Sequence, residues 1–357
     1  LKRMLHPRRM ADLAAAALAK PLKIRQMPVH LQVEISTFCN LNCVMCPRTR
    51  LVKKPDHMIL NRFSTLFHAV RPATINLSGL GEPLLHPQIS DIIRFCRSGG
   101  AAVNFPTSLA VPTGAMAPLV ESGIDQLKIS IDAATPETYR SIRGKDCFTL
   151  VVDNIREINR LKNSADAKKP DLRFNVAVQS LNIDELADIV ALASGLNVAS
   201  VYFQWLLYDG VPDKQDELNA GLTENRLRNA VDRVKQASRR TGVITNIGSW
   251  QRDMSVLASR IAGQSARPGR TCYFPWLSTY VDVAGNVMPC PKFANTREAI
   301  MGNVFETDFP LIWNSADYQV FRKTWKQQKP LYDTCRHCVP LTLFDARGLF
   351  RKLTGRL

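Results

Sequence analysis

Apolar and polar positions alternate with two different periods along most of the chain. Short β-branched runs at His30–Ser36, Thr74–Ser78, Ala101–Phe105, Gln126–Ile131, Leu172–Gln179 and Ala199–Leu206 predict strands. Between them, apolar residues recur at helical spacing. Phe63, Leu66, Phe67 and Val70 form one such face, Ile89, Ile92, Ile93 and Cys96 a second, and Val151, Ile155, Ile158 and Leu161 a third. Strands separated by helices imply parallel pairing with right-handed crossovers, in either an open doubly wound sheet or a barrel. Asn219–Arg239 reads as a long polar helix, and a further short run follows at Gly242–Ile247. Beyond it the regular periods fade. There Tyr280-Val-Asp-Val and Asn286-Val-Met, joined across Ala284-Gly285, predict a tight hairpin. Three units follow: a basic N-terminal extension over 1–29, read as one helix lying against the body; an α/β unit over 30–250; and a small C-terminal module over 251–357.

Composition narrows the class. The 357 residues are 45% apolar and 22% charged, which is the profile of a folded chain rather than a disordered one. No apolar run reaches the roughly 18 residues that span a bilayer. The Leu13–Ala19 stretch has the look of a secretory h-region, yet nothing after it reads as a disulfide-built protein, so a cytoplasmic enzyme is expected. The net charge of +16, from 47 basic and 31 acidic residues, would suit nucleic acid, an anionic membrane or an anionic substrate. No nucleic-acid-binding motif accompanies the basic patches.

The nine cysteines carry the chemistry. An odd number scattered along a chain of this size argues for metal rather than for disulfides. Cys39, Cys43 and Cys46 form C-x3-C-x2-C just past the first strand. Three thiolates can hold three irons of a cubane and leave the fourth iron open, whereas an electron-transfer cluster takes four cysteines. Cys272, Cys290, Cys335 and Cys338 supply four thiolates, enough for a fully ligated 4Fe-4S cluster or for tetrahedral zinc.

The run Glu34-Ile-Ser-Thr-Phe-Cys-Asn-Leu-Asn-Cys-Val-Met-Cys-Pro47 resembles the signature loop of the radical SAM superfamily. Leu77-Ser-Gly-Leu-Gly-Glu-Pro83 is similar to that family's glycine-rich motif after the second strand. The resemblance implies a partial (β/α)6 barrel, an open-iron 4Fe-4S cluster on Cys39, Cys43 and Cys46, and S-adenosylmethionine (SAM) bound to that iron. It also implies SAM contacts from Gly79, Gly81, Glu82, Ser130, Asp132 and Gln179, and a reducing partner such as flavodoxin or ferredoxin. Thr107-Ser108 stands where the family has a ribose-contacting motif. The C-terminal cysteines, Gly302-Asn-Val and Ile312-Trp-Asn-Ser315 resemble a SPASM domain in its shortened "twitch" form, with one auxiliary 4Fe-4S cluster. The spacing is closest to that of the 2-deoxy-scyllo-inosamine dehydrogenase type.

The expected activity is therefore hydrogen-atom abstraction by a 5′-deoxyadenosyl radical. The first expectation is oxidation or epimerisation of a polyol, sugar or aminocyclitol-like small molecule, with the auxiliary cluster as electron acceptor and Cys147 as a candidate hydrogen donor. Radical modification of a ribosomal peptide is the alternative; the residues before the barrel are too few for a fused leader-binding domain. A basic nucleic-acid- or membrane-associated iron–sulfur protein ranks last.

Overall fold

The computed structural model describes residues 18–205, 218–252, 272–336 and 338. Ten strands form one sheet: β1 His30–Val33, β2 Thr74–Leu77, β3 Ala102–Thr107, β4 Gln126–Ser130, β5 Asp171–Val178, β6 Ser200–Trp205, β7 Ile244–Thr245, β8 Ser278–Val281, β9 Asn286–Met288 and β10 Gly302–Asn303. Their order is β10-β9-β8-β1-β2-β3-β4-β5-β6-β7. From β1 to β7 each strand pairs in parallel with its successor. A doubly wound sheet would reverse direction at some strand. Strictly sequential order sends every crossover the same way, which puts the helices on one face and leaves the other as an interior: the barrel alternative holds.

Burial follows that division. Leu31, Val33, Ile75, Leu77, Val103, Phe105, Leu127, Ile129, Phe174 and Val176 are fully buried against the helical layer. The intervening residues, among them Gln32, Asn76, Asn104, Lys128, Arg173, Asn175 and Tyr202, are half-buried on the inner face. That face curls. Lys128 on β4 acts electrostatically on His30 of β1, although three strands of a flat sheet would separate them by about 14 Å.

The helices have identifiable causes. α1 (Leu60–Val70) buries Phe63, Leu66, Phe67 and Val70, the stripe its periodicity predicts. α2 is Ile89–Ser98 and α3 is Met116–Glu121. α4 (Pro136–Arg143) starts with the Thr135 hydroxyl accepting from Thr138 N–H, has Pro136 in its first turn and stops at Gly144 at φ 70°. α5 is Phe148–Ser164 and α6 is Leu186–Gly195. α7 (Glu224–Thr241) begins later than its polar pattern predicts, because Thr223 is its cap, and it turns Leu227, Val231 and Val234 inward.

Two features add to or depart from the sequence reading. The C-terminal segment does not stand apart from the barrel. Its first strand, β8, pairs in parallel with β1 and covers what would otherwise be an open edge. The predicted hairpin then follows as antiparallel β8–β9, its turn closed by Gly285 at φ 88°. Second, residues 20–29 are irregular rather than helical; most of the predicted N-terminal helix lies outside the described residues. Trp276 and Trp313 donate their indole N–H groups to the carbonyls of Pro21 and Gln26, and Arg322 donates to that of Leu22. Ile24 exchanges two backbone bonds with the Asn314 side chain. The Trp-Asn motif thus clamps the N-terminal segment onto the C-terminal module, and α8 (Ala316–Lys326), which carries Arg322, follows it directly. Among the described residues no helix is long and apolar enough to cross a membrane.

Candidate active site

The loop carrying Cys39, Cys43 and Cys46 leaves the C-terminal end of β1 and is held on three sides. The end of α4 supplies one: the carbonyls of Arg143 and Ile142 accept from the N–H groups of Asn42 and Val44. Gly144 lies so close that a Cβ there would strike the Asn42 carbonyl. Cys46 N–H donates to the Cys43 carbonyl, which tightens the loop on itself. The glycine-rich turn after β2 supplies the third. A Cβ on Gly79 would enter the Glu34 side chain, and one on Gly81 would fall on the Ser36 carbonyl. Neither glycine is replaceable without moving backbone or a buried carboxylate.

All three thiols are half-buried. Burial pushes the Cys39 and Cys46 thiols above their ordinary range, while the N–H groups of Leu41 and Arg48 donate to their sulfurs and pull them back. The Arg143 guanidinium approaches the Cys43 sulfur at 3.6 Å. These donors favour sulfur that carries negative charge, as a cluster ligand does. Among the described residues no group of three or more His, Cys, Asp or Glu side chains converges on a point that would hold a single metal ion. A cubane makes no such demand, since each thiolate takes its own iron.

Arg143 is the residue that sequence reasoning missed. At the last turn of a helix before glycine it reads as an ordinary cation facing the helix dipole. In the fold it is buried and paired with Asp132 at 2.5 Å. Burial works against its charge, but Asp132 and Cys43 outweigh that and hold its pKa above the usual value. Asp132, at φ 57°, also accepts from Ala177 N–H at 2.7 Å, and its carbonyl accepts from Asn182. Its carboxylate, expected to meet SAM, pairs with Arg143, and Arg143 faces Cys43. Replacing Asp132 with Asn would leave a buried guanidinium without its counter-charge. The variant should lose about 3–5 kcal/mol of stability, read as a lower urea midpoint at unchanged slope.

Glu82 is similarly engaged. One oxygen accepts from Leu84 N–H and the Thr107 hydroxyl, the other from the N–H and hydroxyl of Ser108. It ties the glycine-rich turn to the loop after β3, and Thr107-Ser108 are used in that tie. Glu34, within the signature run, joins the glycine-rich turn to the C-terminal hairpin. Its carboxylate accepts from Leu80 N–H at 2.6 Å and from Val283 N–H of the hairpin at 3.3 Å. Burial raises its pKa, and these two N–H groups oppose the rise.

Gln179 presents the opposite case. It follows β5 on the inner-face parity of Arg173, Asn175 and Ala177, is 0% exposed, and among the described residues has no hydrogen-bond partner at either amide atom. An orphaned buried amide at the C-terminal end of a strand is positioned to meet a ligand. Ser130 shares the inner face at the end of β4. Cys147 does not: it precedes α5, is 8% exposed and packs within the hydrophobic core.

The C-terminal cysteines gather at the other end of the sheet. Because β8 runs parallel to β1, Cys272 lies where the strands begin, and Cys290 follows antiparallel β9 back to the same end. Burial pushes the Cys272 thiol well up, with Cys290, Cys338 and Cys335 adding to the rise. Cys290 is pushed to about 12 by burial and by Cys338, against N–H donation from Lys292 and Phe293. The four sulfurs thus share one neighbourhood.

Two family profiles match: the radical SAM superfamily over residues 33–167, and the iron-sulfur cluster-binding SPASM domain over 272–339. The chain is 24% identical over 327 residues to the tungsten-containing aldehyde ferredoxin oxidoreductase cofactor-modifying protein of Pyrococcus furiosus, covering 87% of this chain and 86% of that one. It is 24% identical over 325 residues to the PqqA peptide cyclase of Streptomyces rochei, covering 87% and 81%. In fold it is similar to Streptococcus suis SuiB bound to the precursor peptide SuiA, with a TM-score of 0.66 at 11% identity, over 94% of this chain and 74% of that one.

Proposed function

We infer, from the premise that this chain belongs to the radical SAM superfamily and carries a SPASM domain, that it is a radical enzyme whose substrate is a peptide. Cys39, Cys43 and Cys46 would hold the open-iron cluster, and Cys272, Cys290, Cys335 and Cys338 the auxiliary one. Bound together, the first cluster and SAM supply a 5′-deoxyadenosyl radical that takes a hydrogen atom from carbon. The chain's own residues bind, orient and shield. The turn at Gly79–Gly81 offers backbone carbonyls to the SAM ammonium group, Gln179 its unpartnered amide, and Ser130 a hydroxyl from the inner face. Arg143 and Asp132 hold the Cys43 side of the loop.

The observation that carries the reading is the placement of the two cysteine groups. One follows the C-terminal end of β1, the other sits at the N-terminal end of β8, and the strands' half-buried inner face lies between them. A substrate on that face would meet the radical from one end and an electron acceptor at the other. Likeness over most of the chain to a peptide cyclase favours a peptide over the small polyol expected from the sequence.

The test is isotopic. Candidate precursor peptides, deuterated one residue type at a time, are incubated anaerobically with reconstituted enzyme, SAM and a strong reductant. Deuterium entering 5′-deoxyadenosine from a peptide supports the reading. Transfer only from deuterated polyols, with none from any peptide, would return the small-molecule expectation to first place.

A further inference from the structure

The three thiols of the Cys39–Cys46 loop do not have equivalent surroundings. Cys39 and Cys46 receive backbone N–H groups, from Leu41 and Arg48. Cys43 receives a guanidinium, since Arg143 Nη1 donates to its sulfur at 3.6 Å. The other charges that act on the loop differ in kind. The Arg48 side chain acts on Cys39 and Cys46, but it is only half-buried and water screens it. Glu82 acts on Cys39 with the opposite sign.

Arg143 is 8% exposed, so its charge is met by protein groups rather than by water. One terminal nitrogen pairs with Asp132, itself 1% exposed, and the other reaches the Cys43 sulfur. Its Nε has no hydrogen-bond partner among the described residues. Asp132 is held in turn by Ala177 N–H and the Asn182 side chain. A tie between α4 and the loop does not explain this arrangement. The carbonyls of Arg143 and Ile142 already make that tie, to Asn42 and Val44. A buried ion pair adds little stability over an apolar pair of the same shape, because both charges must be desolvated. What the side chain adds is positive charge aimed at one sulfur.

An electron added to a cubane spreads negative charge over its irons and sulfurs. A donor to a ligating sulfur stabilises that charge and raises the reduction potential. Burial strengthens the effect by lowering the local dielectric. Asp132 opposes it in part, since its carboxylate meets the guanidinium and not the sulfur. We propose that Arg143 tunes the reduction potential of the cluster on Cys39, Cys43 and Cys46 through the Cys43 sulfur, and that Asp132 orients the guanidinium for it. Both act through another group and are positioning residues. The role rests on the reading that this loop holds the open-iron cluster. A higher potential lets a milder electron donor load that cluster.

Potentiometric titration of the reconstituted full-length protein with titanium(III) citrate, followed by electron paramagnetic resonance, tests this. The open-iron signal is the one that changes when SAM is added. In Arg143→Gln the one-electron reduction equilibrium of that signal should fall about tenfold, which is about 59 mV for one electron. Arg143→Lys, which keeps the charge without the fork, should recover part of the loss. Asp132→Asn combined with Arg143→Gln strands no buried charge, and its potential should lie between those of Arg143→Gln and the wild type. An unmoved potential in both Arg143→Gln and the double variant, or a raised one in either, would overturn the tuning role. So would loss of the loop's iron in every variant, which would make Arg143 a structural strut. Failure of the underlying reading looks different: the wild-type protein would then show no signal that responds to SAM.

Discussion

Replacing Cys43 with Ser is expected to reduce SAM cleavage to the uncatalysed background. Three thiolates are the minimum that leaves one iron open while holding the others, and serine offers a hydroxyl that stays protonated at neutral pH. Cys43 is also the sulfur that faces Arg143, so the substitution also removes a sulfur contact of a buried guanidinium. Reconstituted wild-type protein should carry about eight irons and the variant about four. Cleavage is followed as 5′-deoxyadenosine formed under strong reductant. If the variant cleaves SAM at the wild-type rate, the open-iron site is not on this loop.

The second large effect concerns the other end of the sheet. Cys290→Ala should also halve the iron, but with a different functional result. SAM should still bind and some should still be cleaved, because the glycine-rich turn, Gln179 and the Cys39–Cys46 loop are untouched. Formation of oxidised product should fall by most of its wild-type value. Removing a hydrogen atom from carbon leaves a one-electron-oxidised substrate, and a closed-shell product with a new bond requires a second electron to leave. On the proposed reading, the group at the N-terminal end of β8 would accept it. Product made at the normal rate by Cys290→Ala would show that the C-terminal group only supports the fold. A wild-type iron count near four with one equivalent of zinc would show that it is a zinc site.

The lost and retained functions of these two variants map onto a division between kinds of information. Strand and helix positions were legible because each depends on the period of its own few residues: Phe63, Leu66, Phe67 and Val70 mark one helical face wherever that helix packs. The cysteine groups were legible because cluster ligands impose short, unusual spacings, and the hairpin because Ala284-Gly285 supplies a turn that needs positive φ. Pairings between distant segments left no such mark. Nothing local shows that β8 lies beside β1, that Glu34 bonds both Leu80 and Val283, or that Asp132 pairs with Arg143. Lys128 and Arg173 are ordinary inner-face cations in their own strands. They stand side by side only because β4 and β5 pair in that register, and register is a property of the folded sheet, not of either strand.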